Sequence, residues 1–335
     1  MNMSDSLLSV RGLTVAFPTA GGTIVANRSV SLSVGAGETL GIVGESGSGK
    51  SVLCRALLGL VAAPPAAISA DEIRFDGHDL LTLTPKDMRA LRGQEISMIF
   101  QNPMSSLNPV RPIGEQVSEG LRIHQGVGRA EARRRAIDAL RRVGIPSPEL
   151  RVDEYAHQWS GGMAQRAMIA MAMIGGPKLL LADEPTTALD VTIQDQILSL
   201  LMELQRETGT AIILVSHDMS VISETCDHVM VMYAGSVVES GLTEDIFRAT
   251  AHPYTAGLLG SIPHIDSDKR KLVPITGQPP DLVDLPPGCP FAPRCPVASP
   301  ECSAGQIVMR TVATGHLTAC LFPERILAGS AREET

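Results

Sequence analysis

The sequence predicts an α/β fold. A mostly parallel sheet covered by helices forms its centre, with an antiparallel β layer ahead of it and a helical subdomain inserted in it. A small, irregular, cysteine-rich module follows. Three observations predict this. Wholly apolar runs of four to six residues alternate with amphipathic helical stretches, as buried parallel strands with crossover helices require. Gly44-Glu45-Ser46-Gly47-Ser48-Gly49-Lys50-Ser51 matches the strand-to-helix pattern G-x-x-x-x-G-K-[ST] at every position. From about Pro263 onward proline and glycine become dense and periodicity fades, while four of the six cysteines crowd together.

Taken in order, Leu13, Val15 and Phe17 alternate with polar neighbours. Val30, Leu32 and Val34 do the same against Ser29, Ser31 and Ser33, and Gly21-Gly22 supplies the turn between the two runs. This is the antiparallel layer. Thr39 to Val43 is a buried strand, and Ser51 to Leu58 the helix that the glycine-rich loop opens. Asp71 to Phe75 and Glu95 to Phe100 are further strands. The second of these runs into Gln101 and then into an Asn/Pro/Ser-rich loop, Asn102 to Pro109. Residues from about 103 to 174 are mostly helical, including Arg129 to Val143 with Ile137 and Leu140 on one face. Strands return at Leu179 to Ala182 and Ala211 to Val215. Between them Ile193, Ile197, Leu200, Leu201 and Leu204 carry helical spacing. A hairpin around Ala234-Gly235 closes the core. The expected division is a core domain over 1–262, with the helical subdomain at about 103–174, and a C-terminal extension over 263–335.

The 335 residues allow one large core and a smaller module, and 44% hydrophobic with 19% charged residues is ordinary for a globular protein. A net charge of -8 argues against nucleic acid or anionic lipid as the main partner. The longest apolar stretch, Leu57 to Ala70, is broken by Pro64-Pro65 and too short to cross a bilayer. The N-terminus lacks a basic segment followed by an apolar one. The expectation is a cytoplasmic chain, held at a membrane only through another subunit.

Several stretches carry chemistry. In the glycine-rich loop Gly44, Ser46, Gly47, Ser48 and Gly49 turn backbone N–H groups toward a phosphate chain. Lys50 reaches the β- and γ-phosphates, and the Ser51 hydroxyl serves Mg²⁺. Asp183 and Glu184 end an apolar strand at the edge where such loops lie. Asp183 there suits Mg²⁺, and Glu184 suits a general base for an attacking water. Gln101 and His217 also follow strand ends. The Gln101 amide suits Mg²⁺ or water, and the His217 ring suits the γ-phosphate or its nucleophile. Ser160-Gly161-Gly162 reads as an N-cap serine and two glycines opening a helix that continues to Met173, a terminus able to take an anion. Phe17 is a candidate to stack on an adenine ring, or a core phenylalanine.

In this order these residues resemble the ATP-binding subunits of ATP-binding-cassette (ABC) transporters over about residues 7–262. The motifs are the A-loop aromatic (Phe17), Walker A (44–51), Q-loop (Gln101), signature (160–166), Walker B (Asp183, Glu184), D-loop (Ala188-Leu189-Asp190) and switch histidine (His217). The resemblance implies a P-loop ABC ATPase core that binds ATP and Mg²⁺. It also implies a head-to-tail pair of cassettes, in which Ser160, Gly161, Gly162 and Asp190 serve the partner's nucleotide. Trp159, Met163 and Ala164 depart from the common signature. Phe100 to Pro109, His252-Pro253-Tyr254-Thr255 with Leu258 to Pro263, and Gly288 to Cys295 resemble the dipeptide/oligopeptide and nickel permease branch. That branch implies a second ATPase subunit in a heterodimer, two transmembrane permease subunits, an extracytoplasmic substrate-binding protein and no nucleic acid. It places the chain peripherally at the cytoplasmic face of the inner membrane. The cargo expected is peptide, with nickel or another small solute as the alternative. A soluble ABC ATPase is a competing class, but it usually brings coiled-coil inserts, tandem cassettes or basic surfaces that this chain lacks.

The cysteines need their own reading. Cys54 and Cys226 sit alone in apolar surroundings and read as small hydrophobes. Cys289, Cys295, Cys302 and Cys320 run C-x5-C-x6-C-x17-C, never with the two-to-four-residue pairs usual for zinc. Four thiolates also suit an iron–sulfur cluster, and a zinc-bound or metal-free knot stays open beside it. The permease branch carries a [4Fe-4S] cluster in a similar tail, which implies one here. Leu321 stands where members often have histidine.

Overall fold

The structure is a computed structural model that describes residues 6–187, 189–261, 275–305 and 307–326. It divides into two compact units. The first is Met1–Ser33 with Thr39–Asp79 and Ser216–Thr335, and the second is Val34–Glu38 with Leu80–Val215.

The first unit begins with two long strands, β1 (Leu8–Thr19) and β2 (Gly22–Val34). Leu8 and Val10, and then Leu13 and Val15, are fully buried, so two period-two stretches, shifted by one residue at Gly12 (φ +64°), mark the face turned to the core. β3 (Thr39–Val43), buried along its whole length, feeds the glycine-rich loop and then α1 (Lys50–Leu57). Three short strands follow: β4 (Ala67–Ser69), β5 (Glu72–Phe75) and β6 (His78–Asp79). β1 takes β4 and β5 as antiparallel partners, which makes the expected antiparallel layer.

The second unit starts with α2 (Pro85–Leu91) and β7 (Ile96–Ile99). A run of helices comes next: α3 (Pro103–Ser106), α4 (Ile113–Val117), α5 (Glu119–His124), α6 (Arg129–Arg142), α7 (Pro148–Arg151) and α8 (Gly161–Met173). The segment expected as loop after Gln101 thus contains a helical turn. Asn102 Oδ1 accepts from the Met104 and Ser105 amides at 3.0 and 3.3 Å, and Pro103 takes the first helical position, so loop-type residues here act as a cap. α6 buries Ala132, Ala136 and Leu140 rather than the face through Ile137, because small residues let it lie close against α8. Beyond it come β8 (Leu179–Asp183), α9 (Val191–Thr208) and β9 (Ala211–Ser216). β7, β8 and β9 pair in parallel, with Ile99 opposite Ala182 and Asp183 opposite Val215. Their carboxyl ends therefore share one edge. α9 buries Ile197, Leu198, Leu200, Leu201 and Leu204. Each such burial is worth roughly 1.5–3 kcal/mol, against at most about 0.7 kcal/mol of propensity per residue. Packing holds this helix.

The chain then completes the first unit with α10 (Met219–Thr225), β10 (His228–Tyr233), β11 (Ser236–Leu242), α11 (Thr243–Arg248) and α12 (Pro253–Leu259). β10 lies parallel to β3, and β11 turns back antiparallel through Ala234-Gly235. The C-terminal region holds two short 3₁₀ turns, Ala292–Arg294 and Pro300–Ser303, and then a hairpin of β12 (Arg310–Ala313) and β13 (His316–Thr318). That hairpin had no periodic signal, since β12 is exposed throughout. Its place comes from the pairing of β13 with β11. Glu239 on β11, fully buried, accepts from His316 Nε2 at 2.8 Å and from the Ala251 and His252 amides at 2.6 and 3.0 Å. Among the described residues no helix is long and apolar enough to cross a membrane.

Candidate functional site

The glycine-rich loop is built where backbone segments approach too closely for side chains. A Cβ on Gly44 would lie 2.1 Å from Met232 O, and one on Gly49 would lie 2.2 Å from Ala26 O. Gly49 also sits at φ +99°, so glycine is required twice over. Asn27, fully buried, donates from Nδ2 to Gly49 O at 3.1 Å and pins the loop's end. Lys50 is buried and folds back along the loop. Its Nζ donates to Gly44 O at 2.6 Å, Glu45 O at 3.0 Å and Ser48 Oγ at 3.4 Å. An ammonium held by loop carbonyls sits where a phosphate's oxygens would exchange for them. Ser51 opens α1 next to it.

Ser46, Gly47 and Ser48 line a cavity of about 280 Å³ together with Glu45, Ile24, Tyr233 and the C-terminal residues Pro279 to Leu282. Phe17 is half-buried near the end of β1 and does not line this cavity, whereas Ile24 on β2 does. His217 belongs to the same unit and stands exposed just past β9.

In the second unit, Asp183 is buried at the end of β8 and Glu184 follows at φ +47°, a left-handed conformation that glutamate rarely adopts. The Glu184 amide donates to Val215 O at 3.1 Å, which fixes the turn against β9. Two donors meet at its Oε2: Gln101 Nε2 at 3.0 Å and Thr187 Oγ1 at 2.7 Å. Gln101 and Glu184, 83 positions apart, are thus brought together as strand ends on one sheet edge. Thr187 was not singled out in the sequence, although its place three residues after Glu184 in a turn is the signal that could have found it.

Ser160 caps α8, accepting from the Met163 amide at 3.3 Å, while Ser160 and Gly161 are exposed. Two of the three departures from the usual signature, Trp159 and Ala164, serve the packing. Trp159 is buried and donates Nε1–H to Glu154 at 2.7 Å, and Ala164 is buried in the helix packing. Asp190 caps α9 through the Ile193 amide at 3.0 Å. Ala188, Ile262 and Pro263, which the sequence motifs include, lie outside the described residues.

Cys289, Cys295, Cys302 and Cys320 all line one small pocket with His252, Pro253, Phe291, Ala292, Ala319 and Leu321. Its walls are mostly apolar. Burial pushes the Cys289 and Cys295 thiols up, and Cys320 up to about 11. Backbone N–H groups oppose this by facing the sulfurs, as the Phe322 amide does toward Cys320 Sγ at 3.4 Å. The four cysteines share the lining of this pocket, but that alone does not make a ligand set. Among the described residues no three His, Cys, Asp or Glu side chains are grouped closely enough to hold a metal ion. By contrast, Cys54 and Cys226 are buried in the core, and burial pushes the Cys226 thiol up to about 12. They pack as small hydrophobes.

A phosphate loop entering a helix, an acidic pair closing a parallel strand and a capped serine–glycine–glycine helix define a P-loop ATPase of the cassette type. Residues 27–187 match the ABC transporter family, and residues 238–302 match the family described as oligopeptide/dipeptide transporter, C-terminal region. The dipeptide transport ATP-binding protein DppD of Bacillus subtilis (strain 168) is 46% identical over 334 residues, covering 98% of this chain and 100% of its own. The oligopeptide transport ATP-binding protein OppD of Escherichia coli (strain K12) is 47% identical over 96% of this chain and 94% of its own. Among solved structures, the dimeric post-hydrolysis state of the cassette MJ0796 bound to ADP and Pi superposes with a TM-score of 0.63 at 26% identity, covering 70% of this chain and 98% of that one. CbiO1 of Clostridium perfringens, part of the complex cbiONQ, gives 0.60 at 31%, covering 72% and 91%. The chain belongs to the ABC transporter ATPases, with the oligopeptide/dipeptide transporter C-terminal region.

Proposed function

We propose that this chain powers peptide import, as the ATP-hydrolysing subunit on the cytoplasmic face of a membrane transporter. The observation that carries this is the pairing of an ABC transporter match over 27–187 with an oligopeptide/dipeptide C-terminal match over 238–302 on one chain. Residues 1–262 act as the nucleotide-binding domain, with the helical subdomain at about 103–174, and 263–335 as its extension. The partners are a second cassette in a heterodimer, two transmembrane permease subunits and an extracytoplasmic peptide-binding protein.

Each residue's work follows from its chemistry. The loop amides from Gly44 to Gly49 and Lys50 bind the phosphates, which release Lys50 from the carbonyls that hold it. Phe17 is assigned to stack on the base, although the cavity beside the loop is lined by Ile24 and not by Phe17. Ser51, Asp183 and Gln101 present hydroxyl, carboxylate and amide oxygen, the donor types that suit Mg²⁺, which neutralises phosphate charge when bound. Glu184 takes a proton from the attacking water, and His217 orients the γ-phosphate. Ser160, Gly161, Gly162 and Asp190 serve the nucleotide held by the partner. Gln101 donates to Glu184, so a Q-loop drawn away by the helical subdomain would also change what holds the base. Cys289, Cys295, Cys302 and Cys320, which line one pocket but are not grouped closely enough to hold a metal as placed, would have to draw together to hold one [4Fe-4S] cluster, which would serve as a structural staple in a region with little regular structure.

Two experiments test this. The chain is co-expressed with candidate permease and binding subunits and reconstituted in liposomes. ATP-driven uptake of labelled di- and oligopeptides is expected, while uptake of nickel alone, or a chain that never co-purifies with membranes, overturns the reading. Anaerobically purified protein is expected to contain about four iron and four labile sulfide per chain. Zinc without sulfide would sink the cluster.

A further inference from the structure

Glu45, the second residue of the phosphate loop, is gripped by the region that follows β11. Its amide donates to Tyr254 Oη at 2.7 Å. Its carboxylate receives both ends of the Arg294 guanidinium: Nη1 to Oε2 at 2.7 Å and Nη2 to Oε1 at 3.0 Å. The Arg294 side chain is 5% exposed and is itself held, donating from Nε to Thr276 O at 2.9 Å and from Nη1 to Tyr233 Oη at 3.2 Å. It ends the short turn Ala292–Arg294 and directly precedes Cys295. Phe291, just before that turn, packs against Tyr233 and Tyr254 with ring centres 5.3 and 5.4 Å away. A forked arginine–carboxylate pair whose arginine is buried and makes four hydrogen bonds differs from a loose surface bridge, whose contribution is small.

The position of the pair gives it a consequence. Glu45 lines the same cavity as Ser46, Gly47 and Ser48, so an uncompensated carboxylate there would face an incoming polyphosphate. Two like charges about 8 Å apart, at an effective dielectric of about 40, lower affinity about fivefold. We propose that Arg294 is a positioning residue for the nucleotide loop: it neutralises Glu45 and holds it back from the phosphates, so that triphosphate binding depends on the ordered turn beside the four cysteines. This rests on the reading of residues 44–51 as an ATP site.

Equilibrium binding of a fluorescent ATP analogue with Mg²⁺ to the full chain tests it. Arg294→Gln should weaken binding about fivefold or more, while hydrolysis at saturating ATP stays within about twofold, a KM effect without a kcat effect. Arg294→Lys should recover part of the loss, since it keeps the charge and loses the fork. Adding Glu45→Gln to Arg294→Gln should return affinity to within about twofold of wild type, because the repelling carboxylate leaves with its partner. Glu45→Asp shortens the carboxylate out of the fork, leaves the C-terminal turn untouched and should also weaken binding. It decides the matter if Arg294→Gln does not fold. Wild-type affinity in Arg294→Gln or Glu45→Asp overturns the proposal. So does a double variant as weak as the single, which would make Arg294 a strut. A wild-type chain that binds no ATP analogue overturns the ATP-site reading instead.

Discussion

At Glu184 backbone and side chain are both held by neighbouring groups. The left-handed φ is held by the amide's bond to Val215 O, and Oε2 is held by Gln101 and Thr187. A residue kept in an unfavourable conformation by several partners is pre-set for one direction, the usual sense of strain at a working site. Glu184→Gln retains the shape and both hydrogen-bonding ends but accepts no proton. The expected result is ATP binding within a few-fold of wild type and hydrolysis lowered about 10²–10⁴-fold, read by phosphate release, with ATP-bound cassette pairs accumulating on size exclusion. Undiminished hydrolysis removes Glu184 as the base.

At the scale of elements, the two helices that present the signature and the D-loop both begin with a side-chain cap, Ser160 on α8 and Asp190 on α9. The caps set where each helix starts, and hence where its exposed amides point. Asp190→Ala should cost about 1 kcal/mol of stability, measured by chemical denaturation. Asp190→Ser, which keeps the acceptor, should restore most of it. A full loss with serine would mean that Asp190 does something other than cap. The helix start at 160 was legible from sequence because capping is a local rule, whereas Asp190 was read only as part of the D-loop and its cap came from the structure. The turn at α3 was not, since Asn, Pro and Ser serve loops and caps alike, and only the direction of the Asn102 side chain separates the two.

Across the molecule, the C-terminal region is tied into the first unit by a few buried polar contacts. Glu239 is the densest of them, gathering His316 and two amides around one buried carboxylate. Removing it strands three donors in the interior. Glu239→Ala should therefore lower stability by about 3–5 kcal/mol. Hydrogen exchange should show faster exchange at 316–318 than in β10. Unchanged protection there would mean that strand pairing alone holds the hairpin.

Residues 44–51, 160–162, 183–184 and 217 were singled out as candidates from the chain alone, because each motif is a short local spacing at the end of one strand or the start of one helix. The parallel strands were equally plain, since burial on both faces leaves unbroken apolar runs. What joins Gln101 to Glu184 across 83 residues, and Arg294 to Glu45 across 249, has no such local mark. An arginine beside a cysteine reads as solvent-exposed until the fold sets its fork against a carboxylate. Local rules depend on neighbours in sequence. Ion pairs and hairpin docking depend on neighbours in space, and for the C-terminal region those were decided by folding onto the sheet.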